Sequence, residues 1–179
     1  MTDLSVIIVN WNTREMLAGC LEWVAGCRLQ VARSDYSPTL EVIVVDNASS
    51  DGSAAMVRVR FPWVKLIENA ENVGFARANN QGIPEATGRY VVLLNSDTEV
   101  RPGALEALLH FMDEHPRAGA CGARLLNADG SLQPSCHPML TPGREFWRLV
   151  FLDQLLPRAT YPMARWDVTT PRRVEVIKG

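Results

Sequence analysis

Residues 90–100, with the sequence YVVLLNSDTEV, place polar side chains directly after an apolar run. The run at 91–94 does not alternate, which is typical of a strand buried on both faces of a parallel sheet. In open α/β sheets, ligands bind outside the carboxyl ends of such strands. Asp97 at that position is suited to hold a hard divalent cation against a diphosphate. On this segment alone, a turn that leads into a helix beginning at Pro102 remains the simpler explanation.

Polar residues also follow three other apolar runs, at 4–9, 41–45 and 64–68. Because these runs are predicted strands with short connections, their polar ends are expected at one edge of the sheet. Such an edge is rich in hydrogen-bonding groups and poor in nucleophiles, which predicts a binding site for a polar ligand. Its expected members are Asn10, Asn12, Asp46, Asn47, Asp51, Asn69, Asn72, Asn79, Asn80, Asn95 and Asp97.

Two charged residues near this edge have alternative explanations. Asp46 suits a nucleoside, because a carboxylate accepts a hydrogen bond from a ribose hydroxyl or a base N–H. A turn aspartate or a helix-capping aspartate accounts for it equally well. Arg77 either pairs with a phosphate or remains a solvated helical arginine. The residue types alone leave both questions open.

Helices are expected between the strands, because apolar residues recur there with helical spacing. The predicted helices cover residues 14–27, 54–60, 74–88 and 102–115. Thr13 is expected to cap the first helix, and Ser50 or Asp51 the second. His115 is expected to contact the carboxyl end of the last one. The repeated strand-loop-helix order predicts a mostly parallel, doubly wound α/β sheet.

The carboxyl-terminal part of the chain is patterned differently. Residues 118–126 predict a further strand, 127–130 a turn, and 131–137 an antiparallel partner strand. Residues 143–156 carry apolar side chains on nearly every face, so this predicted helix needs a cover. Residues 174–179 form a strand-like run, after which the chain is expected to be truncated.

Composition limits the class of protein. The 179 residues, of which 47% are hydrophobic and 21% charged, suffice for one well-filled core. A formal net charge of -2 gives no reason to expect a nucleic-acid partner. No leader and no membrane-crossing run is found, so a location inside the cell is expected. The cysteines form no CxxC pair and are expected to be reduced thiols, with no zinc site: Cys20, Cys27, Cys121 and Cys136.

Common catalytic signatures are missing from the sequence. The chain has no GxGxxG and no GxxxxGK[ST], so backbone cradling of phosphates is not expected. It has no GxSxG, and its three histidines show no triad arrangement, which argues against a hydrolase. A cation bound through Asp97 is the alternative way to neutralise a diphosphate.

Four segments in this order carry a family resemblance: VIIVNWN at 6–12, VIVVDNASSDGS at 42–53, ENVGFARANNQGI at 71–83 and YVVLLNSDTEV at 90–100. They resemble the family 2 glycosyltransferases, most closely the bacterial rhamnosyltransferase-like branch. The resemblance implies a Rossmann-like GT-A nucleotide-diphospho-sugar transferase fold, an α/β fold with a mostly parallel sheet flanked by helices. It further implies a donor-binding core at 1–126 and an incomplete acceptor half at 127–179.

The resemblance also assigns residues to ligands. Asn95, Ser96 and Asp97 match the family's DxD element, in which the last aspartate holds Mg2+ or Mn2+ at the diphosphate. Asparagine at the first position keeps an oxygen but removes a charge. Asp46 is implied to contact the base or ribose. The residues implied to bind the nucleotide sugar are Asn10, Trp11, Asn12, Asp46, Asn47, Asn69, Gly74, Arg77, Asn80, Asn95 and Ser96.

The implied reaction is inverting, metal-assisted transfer from a dTDP- or UDP-linked sugar, rhamnose among the candidates, to a saccharide or lipid-linked acceptor in cell-surface polysaccharide synthesis. The catalytic base is expected beyond Gly179. Two alternatives stay open: a nucleotide-sugar-binding module without turnover, and an interaction element at 143–156 for peripheral membrane association or a homodimer. The implied location is cytoplasmic, including the inner face of the plasma membrane.

Overall fold

The computed structural model describes residues 2–31, 39–151, 163, 166–167 and 169–177. The chain forms two compact units, Met1–Ala118 and Gly119–Gly179. The functional boundary expected at residue 126 remains a prediction. None of the helices in the described ranges has the length and apolarity that crossing a membrane requires.

The first unit is built on a four-stranded parallel sheet, which confirms the predicted α/β architecture. Its strands are β1 (Leu4–Asn10), β2 (Leu40–Asp46), β3 (Lys65–Glu68) and β4 (Tyr90–Asn95), in the order β3-β2-β1-β4. The register pairs Asn10 with Asp46 and Val9 with Asn95. The carboxyl ends of neighbouring strands therefore lie at one edge, which we call the polar edge.

Helices cover both faces of this sheet. They are α1 (Arg14–Val31), α2 (Ser53–Arg60), α3 (Phe75–Gly82) and α4 (Ala104–Glu114). One face buries Val6 and Ile8 against Leu17 and Leu21 of α1. The other face buries Ile7 in a smaller cluster with α3. Each fully buried aliphatic side chain stabilises the fold by about 1.5–3 kcal/mol, so these two layers hold the sheet and its helices together.

The sequence prediction that β4 is buried on both faces is wrong for this structure. Its residues alternate between partly buried and exposed, and Val91 and Leu93 are 42% and 54% exposed. Val92 and Leu94 pack against the larger core cluster. The reason is position, because β4 lies at the edge of the sheet and α3 packs over β1 and β2.

Glycine and proline residues move three helix ends away from their predicted positions. α3 stops at Gly82 and continues as one 3-10 turn over Ile83–Glu85, because Pro84 has no N–H for a further helical bond. α4 begins at Ala104 rather than Pro102, after Gly103 with φ +80°. α2 likewise follows Gly52 with φ +83°. A left-handed backbone is inexpensive only for glycine, so it determines where these helices start.

Asp51, one of the two residues expected to cap α2, bonds to the first residues of both α1 and α2, although the residue directly before α2 is Gly52. The carboxylate of Asp51 accepts the N–H of Ser53, the first residue of α2, at 3.0 Å. Its second oxygen accepts the N–H of Arg14, the first residue of α1, at 2.9 Å. Asp51 therefore serves both helices, and the hydroxyl of Thr13 bonds elsewhere. The prediction for His115 is confirmed, since its Nδ1 lies 2.9 Å from the carbonyl oxygen of Phe111.

The second unit contains two short antiparallel pairs and one helix. β5 (Leu125–Leu126) pairs with β6 (Leu132–Gln133), and β7 (Cys136–His137) pairs with β8 (Val176–Ile177). The predicted turn at 127–130 is confirmed by Gly130 at φ +82° and by two backbone hydrogen bonds. The predicted strand at 118–126 is wrong before residue 125, and residues 136–137 pair with β8 rather than β5.

The helix α5 (Pro142–Leu149) covers only part of the segment predicted at 143–156, and residues 152–156 lie outside the described residues. Phe146, Leu149 and Phe151 are all more than half exposed. The prediction that this segment needs a cover therefore stays open. All four cysteines are free, as expected.

Candidate functional site

A chain of side-chain hydrogen bonds runs along the polar edge. Asn10, at the end of β1, donates from Nδ2 to Asp46 Oδ1 at 2.8 Å and to Ser49 Oγ at 3.0 Å. The N–H of Ser49 donates to Asp46 Oδ2 at 2.9 Å. Asp46 is 3% exposed, and each of its carboxylate oxygens already accepts one bond. Its carboxylate thus organises the ends of β1 and β2.

The same series of hydrogen bonds continues to the end of β4. Thr13 donates its hydroxyl to Asn10 Oδ1 at 2.7 Å, and its Oγ1 lies 2.9 Å from Ser96 Oγ. Asp46, Asn10, Thr13 and Ser96 are therefore joined in series. These four residues link the ends of β2, β1 and β4.

A second network ties the end of β2 to the loops after β3. Asn47 is 2% exposed, and its Oδ1 accepts from Asn69 Nδ2 and from the N–H of Val73, each at 3.0 Å. Its Nδ2 donates to Asn72 Oδ1 at 2.9 Å. A single amide thus holds the end of β2 to the loop between β3 and α3.

The amide of Asn69 is also engaged by α3. Asn69 and Gln81 exchange two hydrogen bonds, each of 2.9 Å, from the amide nitrogen of one to the amide oxygen of the other. Asn72 accepts the N–H of Gly74, which has φ +84° and precedes α3. The predicted site residue Asn69 therefore holds the carboxyl-terminal turn of α3, whereas Gly74 lies directly before its start.

The loop after β1 carries an unusual backbone. Asn12 has φ +54°, and its Oδ1 accepts the N–H of Ser50 at 2.8 Å. Its own N–H donates to Ser49 Oγ at 2.9 Å. Ala48 in the facing loop has φ +61°. This mutual bonding holds both loops together and leaves Trp11 exposed.

The turn at residues 95–98, which we call the Asp97 turn, packs on α1. The N–H of Thr98 donates to the carbonyl of Asn95 at 3.2 Å, and the thiol of Cys20 approaches the same carbonyl at 3.7 Å. Burial raises the pKa of Cys20 to about 12, and the nearby Asp97 charge adds to the rise. Asn95 and Asp97 are exposed, and Ser96 is partly buried. The carboxylate is therefore available to a ligand.

On α3, the predicted site residues Arg77 and Asn80 face solvent, whereas Asn79, which was expected at the polar edge, does not. Arg77 and Asn80 are exposed, with no hydrogen bond or ion pair to the described part of the chain. Asn79 is buried, and its Nδ2 donates to the carbonyl of Phe75 at 3.0 Å. Asn79 therefore has a structural bond within α3, whereas Arg77 and Asn80 remain free to contact a ligand.

The oxygen donors at the Asp97 turn fit a hard divalent cation. Asp97 supplies one exposed carboxylate, and the two residues before it in the sequence, Asn95 and Ser96, carry further side-chain oxygens. Across the described ranges, no three His, Cys, Asp or Glu side chains gather into a cluster that would hold a metal. A single carboxylate suits Mg2+ or Mn2+ held largely by substrate phosphates, because such ions keep other oxygen ligands.

The polar edge thus brings together residues from all four strand ends, as predicted, although ligand contacts of individual residues remain predictions. Sequence reasoning missed Ser49 and Gln81, and assigned Thr13 only to capping. Ser49 lies in the same polar cluster as Asp46, so the cluster itself was the available signal. The pairing of Gln81 depends on how α3 packs, which no local pattern shows.

Comparisons with known proteins identify the family. The family described as Glycosyl transferase family 2 matches residues 5–161. The N-acetylglucosaminyl-diphospho-decaprenol L-rhamnosyltransferase of Mycobacterium tuberculosis is 32% identical over 111 residues, covering 56% of this chain and 36% of that protein. Succinoglycan biosynthesis protein ExoO of Rhizobium meliloti is 32% identical over 124 residues, covering 69% and 32%. The chain spans about a third of the length of these relatives.

Solved structures share the fold. S. aureus TarS 1-349 in complex with UDP-GlcNAc superposes with a TM-score of 0.54 at 24% identity, covering 64% of this chain and 32% of that one. The mannosyltransferase PcManGT from Pyrobaculum calidifontis, in complex with GDP-Man and Mn2+, gives 0.51 at 24% identity, covering 82% and 38%. With a family match over most of its length and the parallel sheet of the GT-A fold, the chain belongs to glycosyl transferase family 2.

Proposed function

We propose that this chain carries the sugar-donor site of a glycosyltransferase and binds a nucleoside diphosphate sugar at the polar edge. The observation that carries the proposal is the bonded series from Asp46 to Ser96, which ends beside an exposed carboxylate at Asp97. The nucleoside lies at the Asp46 end and the diphosphate at the Asp97 turn. A dTDP- or UDP-linked sugar, rhamnose included, is the proposed sugar donor.

Each end of the edge offers groups that fit its part of the ligand. Carboxylate oxygens have about two acceptor sites each, so Asp46 retains capacity for a base N–H or a ribose hydroxyl. Asn10, Trp11 and Asn12 line the pocket on the β1 side. Arg77 is an unpaired cation in the described part of the chain and fits a phosphate oxygen.

A divalent cation held at Asp97, with Asn95 and Ser96 beside it, neutralises diphosphate charge when it is bound. The chain's own contribution is to fix the direction of the diphosphate through the Asp97 turn, which Thr13 and Cys20 hold against α1. Transfer proceeds with inversion, and a carboxylate base removes the proton of the acceptor hydroxyl.

The proposed acceptor is a saccharide or a lipid-linked saccharide in cell-surface polysaccharide synthesis. This is supported by the names of two relatives, a rhamnosyltransferase for a diphospho-decaprenol substrate and a succinoglycan biosynthesis protein.

The proposed location is cytoplasmic, at the inner face of the plasma membrane. The exposed apolar face of α5 supplies a membrane-binding surface there, tested by flotation with anionic lipid vesicles. Dimers by sedimentation, without flotation, would assign this face to a second copy of the chain.

Calorimetry tests the sugar-donor site directly. UDP, dTDP and GDP are titrated with and without Mn2+, and a pyrimidine nucleoside diphosphate is expected to bind more tightly with the metal. Asp97→Ala is expected to remove the metal-dependent gain. The matched control is Glu99→Ala, which removes the same charge from an exposed neighbour and is expected to keep the gain. Unchanged metal dependence in Asp97→Ala would refute the assignment of the cation site.

Turnover separates an enzyme from a binding module. Nucleotide release from the sugar donor is measured with and without a saccharide or lipid-linked acceptor, using the complete gene product. Acceptor-dependent release supports the transferase. Tight binding with no acceptor-dependent release supports the alternative, a nucleotide-sugar-binding module without turnover.

A further inference from the structure

Two serines on the polar edge have opposite hydrogen-bonding polarity, which the surrounding network imposes. The carboxylate of Asp46 is an acceptor, so the facing amide group of Asn10 must be the NH2, and Asn10 Oδ1 must face Thr13. Thr13 therefore donates its only hydroxyl proton to Asn10. The contact of 2.9 Å between Thr13 and Ser96 then requires Ser96 to be the hydrogen-bond donor.

Ser96 consequently has no proton left for a ligand and presents only lone pairs. Ser49 is the opposite case, because its Oγ accepts from Asn10 Nδ2 and from the N–H of Asn12. Its lone pairs are occupied and its proton is free within the described part of the chain. Neither serine is fully buried, so a bound ligand can approach both.

The two polarities suit different parts of a nucleoside diphosphate with its cation. A hydroxyl that only donates fits an anionic oxygen, whereas one that only accepts is repelled by it and fits a cation. Resting on the proposed function, we infer that Thr13 is a positioning residue that fixes Ser96 Oγ as an oxygen acceptor for the divalent cation or a water in its shell.

The inference predicts a selective effect on metal dependence. We define the metal gain as the Kd for a nucleoside diphosphate without cation divided by the Kd with Mn2+. Thr13→Val preserves the shape of the side chain but removes the hydroxyl, which frees Ser96 to rotate and donate to a phosphate. The metal gain is expected to fall about fivefold, the worth of one hydrogen bond, while affinity without metal is unchanged or rises.

Thr13→Ser restores the hydroxyl and is expected to keep the metal gain within about twofold of the wild type. Thr87→Val is the matched control, because the Thr87 hydroxyl also has two partners, Glu41 Oε1 at 2.9 Å and Thr2 Oγ1 at 3.1 Å. Those partners lie near the amino ends of the strands, away from the polar edge. Thr87→Val is expected to lower the melting temperature without changing the metal gain.

Ser96→Ala keeps the test decisive if Thr13→Val folds poorly, and it is expected to lower the metal gain to the same extent. In the double variant Thr13→Val/Ser96→Ala the metal gain should fall no further than in Ser96→Ala alone, because the two substitutions remove the same interaction. An unchanged metal gain in Ser96→Ala or Thr13→Val, or equal weakening with and without metal, overturns the inference alone. Absence of metal-dependent binding by the wild type overturns the proposed function as well.

Discussion

Removing the amide of Asn47 is predicted to destabilise the first unit by about 3 kcal/mol. Asn47→Ala deletes the bonds to Asn69, Asn72 and Val73, and the side chain is 2% exposed, so water cannot replace them without rearrangement. Each net hydrogen bond is worth about 1 kcal/mol, which gives the sum. Such a loss is a large fraction of the roughly 5–15 kcal/mol that stabilises a typical domain.

Urea unfolding followed by far-ultraviolet circular dichroism measures the free energy of unfolding for the wild type and the variant. Asn80→Ala is the matched control, because the Asn80 side chain is exposed and has no hydrogen bond to the described part of the chain. The free energy of unfolding of this variant should stay within about 0.5 kcal/mol of the wild type. A second readout is nucleoside diphosphate affinity. If Asn47→Ala unfolds like the wild type but binds tenfold more weakly, Asn47 contacts the ligand directly and its structural role here is refuted.

Two further predictions concern stability. Gly88→Ala is expected to lower the free energy of unfolding in urea by about 3 kcal/mol, because the new Cβ would lie 2.6 Å from the backbone nitrogen of Ser5. Gly19→Ala is the control, because its new Cβ would meet nothing within 4 Å, and it should be neutral or stabilising. Burial acts to raise the pKa of Asp51, but hydrogen bonds led by the Ser53 hydroxyl outweigh it and lower the pKa. The Asp51 carboxylate therefore stabilises the folded state fully above the unfolded pKa of about 4, and this stabilisation is lost as pH falls below that value. The difference in free energy of unfolding between the wild type and Asp51→Asn should accordingly shrink from about pH 6 to about pH 3. A constant difference across that range would contradict the assignment.

The positions of the strands and of the polar edge could be predicted from the sequence because their signals are local. Apolar runs mark β1, β2 and β4, and a polar cluster directly after each run marks where the chain leaves the sheet. Parallel order follows from the helices between them. These facts together placed Asp46 and Asp97 on the same edge.

What the tertiary structure decided is how each polar group is used. Asn47 and Asn80 look like equal ligand candidates in the sequence, yet Asn47 is buried and bonded to the loop after β3, whereas Asn80 is exposed. Exposure along β4 also follows from its place at the sheet edge. Burial and the direction of a hydrogen bond depend on partners far away in the chain, so residue type and spacing alone determine the edge but not which of its oxygens remain available to a ligand.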